Sequence, residues 1–249
     1  MKKIFYLFVF ALMFIGLYDV KASTYYTNTN GVDFTKEEYD FISEMYSEGY
    51  QEFMTQEDLD KIVNLDLIGR PIEKNTYIDN GLINGNMISP NATSSYYAGR
   101  TITITSSCSS ECLVTLSVAW GCTPSIQSWD VIGFRISNVT INSVNSAVIW
   151  GTGYSNAYLP GGTSYKSFTN GFGYSVQLGN ANNLKITTSM YTEPGGTAYG
   201  SYQHATESVS LNTSKSYTIG VGGYGYVFHF NGNAFGVYDG APGVYLGIS

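Results

Sequence analysis

From about Thr76 onward the sequence keeps a period of two, and this limits the fold more than any other feature. Ile102 and Ile104 alternate with Thr101, Thr103 and Thr105. Val114, Leu116, Val118 and Trp120 alternate with Thr115, Ser117 and Ala119. Ile132, Phe134 and Ile136 alternate with Gly133 and Arg135, and Leu184, Ile186 and Met190 stand opposite Lys185, Thr187 and Ser189. Tyr217 with Ile219, and Tyr226 with Phe228 and Phe230, repeat the pattern. Successive side chains of a strand point to opposite faces, so one-sided alternation marks antiparallel sheet with one face in a core. Clusters such as Leu159-Pro160-Gly161-Gly162 and Glu193-Pro194-Gly195-Gly196 separate the segments as turns. The expected fold is mainly β: an antiparallel β-sandwich or jelly-roll-like domain of about eight to ten strands. No helical period of useful length follows residue 75.

The preceding stretch has a different character. Residues 24–80 carry 13 Asp and Glu against 4 Lys and Arg, whereas 81–249 carry 5 against 5. Thr35 followed by Glu38 reads as a capping box, with Phe34 and Tyr39 placed for a hydrophobic staple. Tyr39, Ile42, Tyr46, Tyr50 and Phe53 then recur at helical spacing. Thr55 and Asp58 repeat the start signal, which predicts a second short helix to about Asn64, stopped by Gly69-Arg70-Pro71. A short acidic helical pair covering one face of the β domain is the preferred reading, ahead of a docking element or a pro-segment.

Lys2 and Lys3, the apolar run Ile4–Leu17 and the small-residue site Val20-Lys21-Ala22 have the layout of a secretory signal peptide. The run is shorter than the ~20 residues of a spanning helix, so no transmembrane anchor is expected. The division is therefore 1–22 signal peptide, 23–75 acidic helical segment and 76–249 β-sandwich, with a secreted, extracellular product. Export makes a disulfide reasonable for three cysteines. Cys112 and Cys122 flank one strand, and ten extended residues span roughly 33 Å, beyond disulfide reach. Cys108 and Cys112 sit either side of the turn Ser109-Ser110-Glu111 and form the expected pair, leaving Cys122 free. No paired C-x-x-C and no nearby His supports a metal site, and no cofactor is expected. The formal charge of −7 and the lack of a Lys/Arg cluster exclude nucleic acid as the partner.

Residues 120–135 are the most distinctive stretch. Trp120 and Trp129 bracket a loop containing Pro124, and Asp130 and Arg135 are rare charges in a neutral region, placed to pair if they approach. The run Trp129-Asp130-Val131-Ile132-Gly133 ending in Arg135 resembles uncharacterised secreted β-rich proteins of Gram-positive bacteria. Glu44-Met45-Tyr46-Ser47-Glu48-Gly49-Tyr50 and Met54-Thr55 fit the acidic helical stretch that precedes the β domain in that group. The resemblance implies that layout and brings no activity or functional residue with it.

Catalytic groups are sparse. His204 and His229 read as isolated strand histidines, without a G-x-S-x-G elbow for a nucleophile. Glu193 and Glu207 are the best available carboxylate pair for a glycosidase. Aromatic side chains, 15% of the chain, are the stronger lead. Trp129, Tyr154, Tyr158, Tyr165 and Tyr238 are the candidate ligand-binding residues, with Tyr245 a further ring of the same kind. The reading is a secreted, non-enzymatic binding module for an extracellular glycan or cell-surface ligand. A polysaccharide hydrolase is the runner-up and a β-type pore-former, suggested by the alternation from Ser208 to Phe230, the third.

Overall fold

The computed structural model describes residues 23–79, 100–121, 124, 126–152, 164–168, 170–178, 182–208, 217–219, 227–230, 237–238 and 243–249. The expected signal peptide, Cys122, Tyr154 and Tyr158 lie outside them.

The acidic segment opens with a small hairpin, β1 (Tyr26–Thr27) and β2 (Asp33–Phe34), which the sequence pattern did not predict. Helix α1 covers Lys36–Met45 and α2 covers Gln56–Asn64. Each starts at its expected capping box: Thr35 with Glu38, and Thr55 with Asp58. The apolar spacing that runs to Phe53 is not one helix. Gly49 adopts φ +91°, a left-handed conformation, and a 3-10 turn at Tyr50–Phe53 follows it.

The β region is a sandwich of two antiparallel sheets. Strands β3 (Glu73–Asp79), β4 (Arg100–Cys108), β5 (Cys112–Trp120), β11 (Asn182–Thr192) and β7 (Ile141–Val144) lie side by side in that order, and β8 (Val148–Thr152) extends the β7 edge along β11. The second sheet has the order β15 (Val244–Gly247), β12 (Thr197–Gln203), β6 (Trp129–Ser137), β10 (Gly171–Gln177) and β9 (Ser164–Phe168). A separate hairpin pairs β13 (Tyr217–Ile219) with β14 (Phe228–Phe230). The strand count exceeds the expected eight to ten, partly because one sheet edge is split into β7 and β8. Cys108 and Cys112 are cross-strand partners at the β4–β5 turn and are joined by the expected disulfide.

Between the sheets, Ile102, Ile104, Val114, Leu116, Val118, Ile132, Phe134, Phe172, Val176, Ile186 and Met190 form one core. All but Phe172 and Val176 are apolar members of the alternating runs read in the sequence. Several polar members of β4, β5 and β11 do not face water. Thr105, Thr115, Ser117 and Thr187 are buried beneath the helical layer. Thr105 Oγ1 donates to the carbonyl of Met45 at 2.6 Å, Thr115 donates to the same carbonyl, and Ser117 donates to that of Tyr46. The last carbonyls of a helix have no partner within it, and here strand hydroxyls supply one. Ile42, Met45, Leu59 and Ile62 join Leu113, Val148 and Tyr191 in a second cluster, each buried apolar side chain contributing roughly 1.5–3 kcal/mol. Lys61 Nζ bonds Ser143 Oγ at 2.6 Å and lies 3.7 Å from the centre of the Tyr191 ring. The acidic helices are thus a third layer on the six-stranded sheet.

Replacing Thr105 and Thr115 together by Val leaves the Met45 carbonyl buried without these donors. The double variant should lose about 1–3 kcal/mol of stability in urea unfolding, and either single variant less. An unchanged midpoint in the double variant would contradict the capping role.

Candidate functional site

The candidate site lies on the outer face of the five-stranded sheet. In β6 the even positions Ile132, Phe134 and Ile136 enter the core. Trp129, Val131, Gly133, Arg135 and Ser137 therefore point outward. In β12, Ala198 and Tyr202 enter the core, so Thr197, Tyr199, Ser201 and Gln203 share the outer face.

Part of this face is roofed by the β13–β14 hairpin. Tyr217, Ile219, Phe228, Val131, Ala205, Val227 and Tyr238 form a third buried cluster. Two glycines make the close approach possible. A Cβ on Gly173 would meet Phe228 at 2.8 Å, and one on Gly171 would meet Ile219 at 2.9 Å and the Phe134 carbonyl at 2.4 Å. The roof therefore reaches the strand position beside Arg135, the cross-strand partner of Gly171.

A row set by register starts at the roof and runs to the sheet edge: Arg135 opposite Tyr199, which packs against the third cluster, and Tyr199 opposite Tyr245. The Arg135 guanidinium carbon sits 4.0 Å from the centre of the Tyr199 ring. The Tyr199 and Tyr245 rings are 6.2 Å apart and inclined by 35°. Tyr245 is 62% exposed, whereas Arg135 is 8% exposed. Thr197 and Ser137, one step along the same face and paired with each other, flank the row with hydroxyls. Rings presented this way offer flat apolar faces with polar tips.

At the opposite end of β6 a buried polar network fastens the sheets. Asp130 is fully buried and accepts from the Tyr202 hydroxyl, from the Ala205 N–H at 3.0 Å, and pairs with His204 Nδ1 at 2.8 Å. Trp120 Nε1, from the other sheet, donates to the Tyr202 oxygen at 3.2 Å. The Arg100 guanidinium carbon lies 5.4 Å from the Trp120 ring and 5.7 Å from the Tyr202 ring. Asp130, His204, Tyr202 and Arg100 are all closed off from solvent. The geometry suits a structural clasp.

Two readings of the sequence are corrected here. Asp130 and Arg135 do not pair: five residues apart on one strand, they point to opposite faces. His204 is not an isolated histidine, because pairing of β12 with β6 brings it to Asp130 across 74 positions. His229 is exposed. Glu193 and Glu207 are both exposed and lie beyond opposite ends of the seven-residue β12, a strand of roughly 23 Å.

The ring candidates are placed as follows. Trp129 is half-buried beside the third cluster. Tyr165 lies in β9 opposite Tyr174. Tyr238 is 4% exposed, stacked on Phe230 at 4.2 Å, and its hydroxyl donates to the Trp129 carbonyl at 2.8 Å. Tyr245 is exposed, in a strand rather than a loop. Tyr199 was missed by sequence reasoning. Its signal was the odd spacing of Tyr199 and Tyr202 in β12, which sends one ring out and the other in. Among the described residues no group of three His, Cys, Asp or Glu is placed to hold a metal ion.

No protein-family model matches the sequence, and no curated protein does. Solved structures give weak likenesses. The collagen-binding domain of a Staphylococcus aureus adhesin aligns at 12% identity and TM-score 0.26, over 37% of this chain and 76% of that one. The RrgB pilus protein of Streptococcus pneumoniae aligns at 6% identity and TM-score 0.30, over 56% of this chain and 24% of that one. A structure concerning Fap1 fimbriae of Streptococcus parasanguinis aligns at 14% identity and TM-score 0.33, over 71% and 96%. Likeness at this level assigns no family.

Two outcomes follow from the buried groups. Asp130→Ala strands three donors and should cost roughly 3–5 kcal/mol in thermal or urea unfolding; a variant within about 1 kcal/mol of the parent would show the clasp to be dispensable. Burial raises the hydroxyl pKa of Tyr46, Tyr191, Tyr202 and Tyr238 above the usual 10.0, and pushes that of Tyr217 up to about 12. A raised native pKa means that the unfolded chain releases these protons first, so stability is full below pH 10 and falls as pH rises through 12. In an ultraviolet tyrosinate titration the buried tyrosines should ionise only with unfolding. Full ionisation near pH 10 with the fold intact would contradict their burial.

Proposed function

We propose that this chain is a secreted, non-enzymatic binding module that holds an extracellular glycan on the Tyr199–Tyr245 platform. The observation that carries this reading is a cross-strand pair of tyrosine rings, Tyr245 exposed and Tyr199 half-buried against the third cluster, beside the part of the outer face that the β13–β14 hairpin roofs. A rigid strand pair presents the rings with little freedom left to lose on binding. Flat apolar ring faces suit the C–H face of a sugar, and the neighbouring Thr197 and Ser137 hydroxyls suit its polar edge. The signal-peptide layout of residues 1–22 and the Cys108–Cys112 disulfide support an extracellular destination. Trp129, on the same outer face and six residues from Arg135 along β6, stands roughly 20 Å away and would be a second contact for an extended ligand. Tyr154, Tyr158 and Tyr238 join the proposed ring set, with Tyr238 acting through its hold on Trp129, whereas Tyr165 shares the register of core-facing Tyr174 and Ile132 and stands apart from it.

The test is retention of the secreted protein on insoluble polysaccharides and peptidoglycan, with the wash analysed for released sugar. The parent should be retained without sugar release, and Tyr199→Ala with Tyr245→Ala should weaken retention at least about tenfold at an unchanged fold, since stacked aromatics are typical centres of binding energy. Released sugar would replace the binding reading with a hydrolytic one. Retention on liposomes alone would favour a membrane-active protein.

A further inference from the structure

Among the described residues no carboxylate pairs with Arg135. The residue is more than nine-tenths buried. Its Nε has no hydrogen-bond partner among the described residues, and its guanidinium rests on the Tyr199 ring. A buried guanidinium is expensive unless something compensates it. A cation resting on a tyrosine face recovers part of that loss, but not the directed hydrogen bonds that five N–H donors can make. Hydrophobic residues of similar size would pack the same slot at less cost. An arginine held over an aromatic ring, beside the exposed ring of Tyr245, is instead suited to receive a planar anion.

We propose that Arg135 is a carboxylate-recognition residue, and that the Arg135–Tyr199–Tyr245 row binds an acidic sugar. The inference rests on the glycan-binding reading and names the ligand class for that platform. The ring of a uronic-acid-type sugar stacks on Tyr199 and Tyr245 while its carboxylate takes the guanidinium fork, a bidentate charge-assisted pair.

Charge narrows the ligand further. The whole protein carries a net charge of −7, and the Arg135–Tyr199–Tyr245 row contains one cation. A densely charged polyanion would be repelled by the rest of the surface. The ligand is therefore sparsely charged, with acidic sugars interspersed among neutral ones. An acidic peptide fits less well. Extended peptides are commonly captured by adding a strand to a free sheet edge, and the edge strand here, β15, is already engaged: Asn75 Nδ2 donates to the Tyr245 carbonyl at 2.8 Å. Arg135 itself lies two strands inward from that edge.

The probe is a hyaluronan oligosaccharide, which alternates a carboxylate-bearing sugar with a neutral one, compared by calorimetry with its carboxyl-reduced counterpart. The parent protein should bind the acidic form at least about tenfold more tightly, the scale of one charge-assisted hydrogen bond or more. Arg135→Gln should abolish that preference. Arg135→Lys should restore part of it, because a point charge replaces the fork. Arg135→Met should not lower the melting temperature. Equal affinity for the two forms would overturn the inference while leaving the glycan-binding module in place. Failure to bind any glycan would overturn both. Arg135-dependent binding of a polyglutamate peptide, with none to the acidic sugar, would overturn the sugar assignment. A lower melting temperature for Arg135→Met with unchanged affinity would make Arg135 a packing residue. The comparison of acidic and reduced sugar uses the parent protein alone, so it decides the matter even if a variant fails to fold.

Discussion

The carboxylate of Asp130 sets the register on which the rest of the five-stranded sheet depends. A fully buried charge is tolerable only when donors converge on it. Tyr202, His204 and the Ala205 amide provide them, all from the end of β12. They reach Asp130 only when Gln203 stands opposite Val131, and that same ladder places Tyr199 opposite Arg135. A slip of one residue would send Arg135 into the core and Phe134 to the surface. Through Trp120, which donates to Tyr202, the clasp also holds the second sheet. The inner end of β6 and β12 therefore fixes the outer platform near their other end.

The helical layer is attached by a different device. Helix α1 ends against β4 and β5, and Thr105, Thr115 and Ser117 satisfy its final carbonyls. Hydroxyls serve here because they are small, fit the pleated surface and donate a hydrogen bond that an aliphatic side chain cannot. The six-stranded sheet consequently has two buried faces, although its strands alternate as if one were wet.

This explains what the sequence revealed and what it concealed. Both capping boxes, the sandwich class and the Cys108–Cys112 bridge were legible because each depends on local spacing. The buried hydroxyl face was not, since Thr115 reads the same whether it faces water or a helix terminus. The candidate site was half legible. Tyr245 was one of several tyrosines read as loop rings, and Arg135 was read as a partner for Asp130 when parity alone separates them. Tyr199 depends on an outer row assembled from β6, β12 and β15, which no local window contains. Tyr238 belongs to the interior for the same reason: its partners, Phe230 and Trp129, come from distant strands.

The central claim is that the functional surface is this strand-borne row. Nuclear magnetic resonance of the isotopically labelled protein, titrated with the hyaluronan oligosaccharide, tests it most directly. The account predicts shifts centred on the Arg135 side-chain Nε–H and the Tyr199 and Tyr245 amides, fading toward the helical layer. Shifts confined to the helices or to the Trp129 end, with β6, β12 and β15 otherwise unmoved, would contradict it.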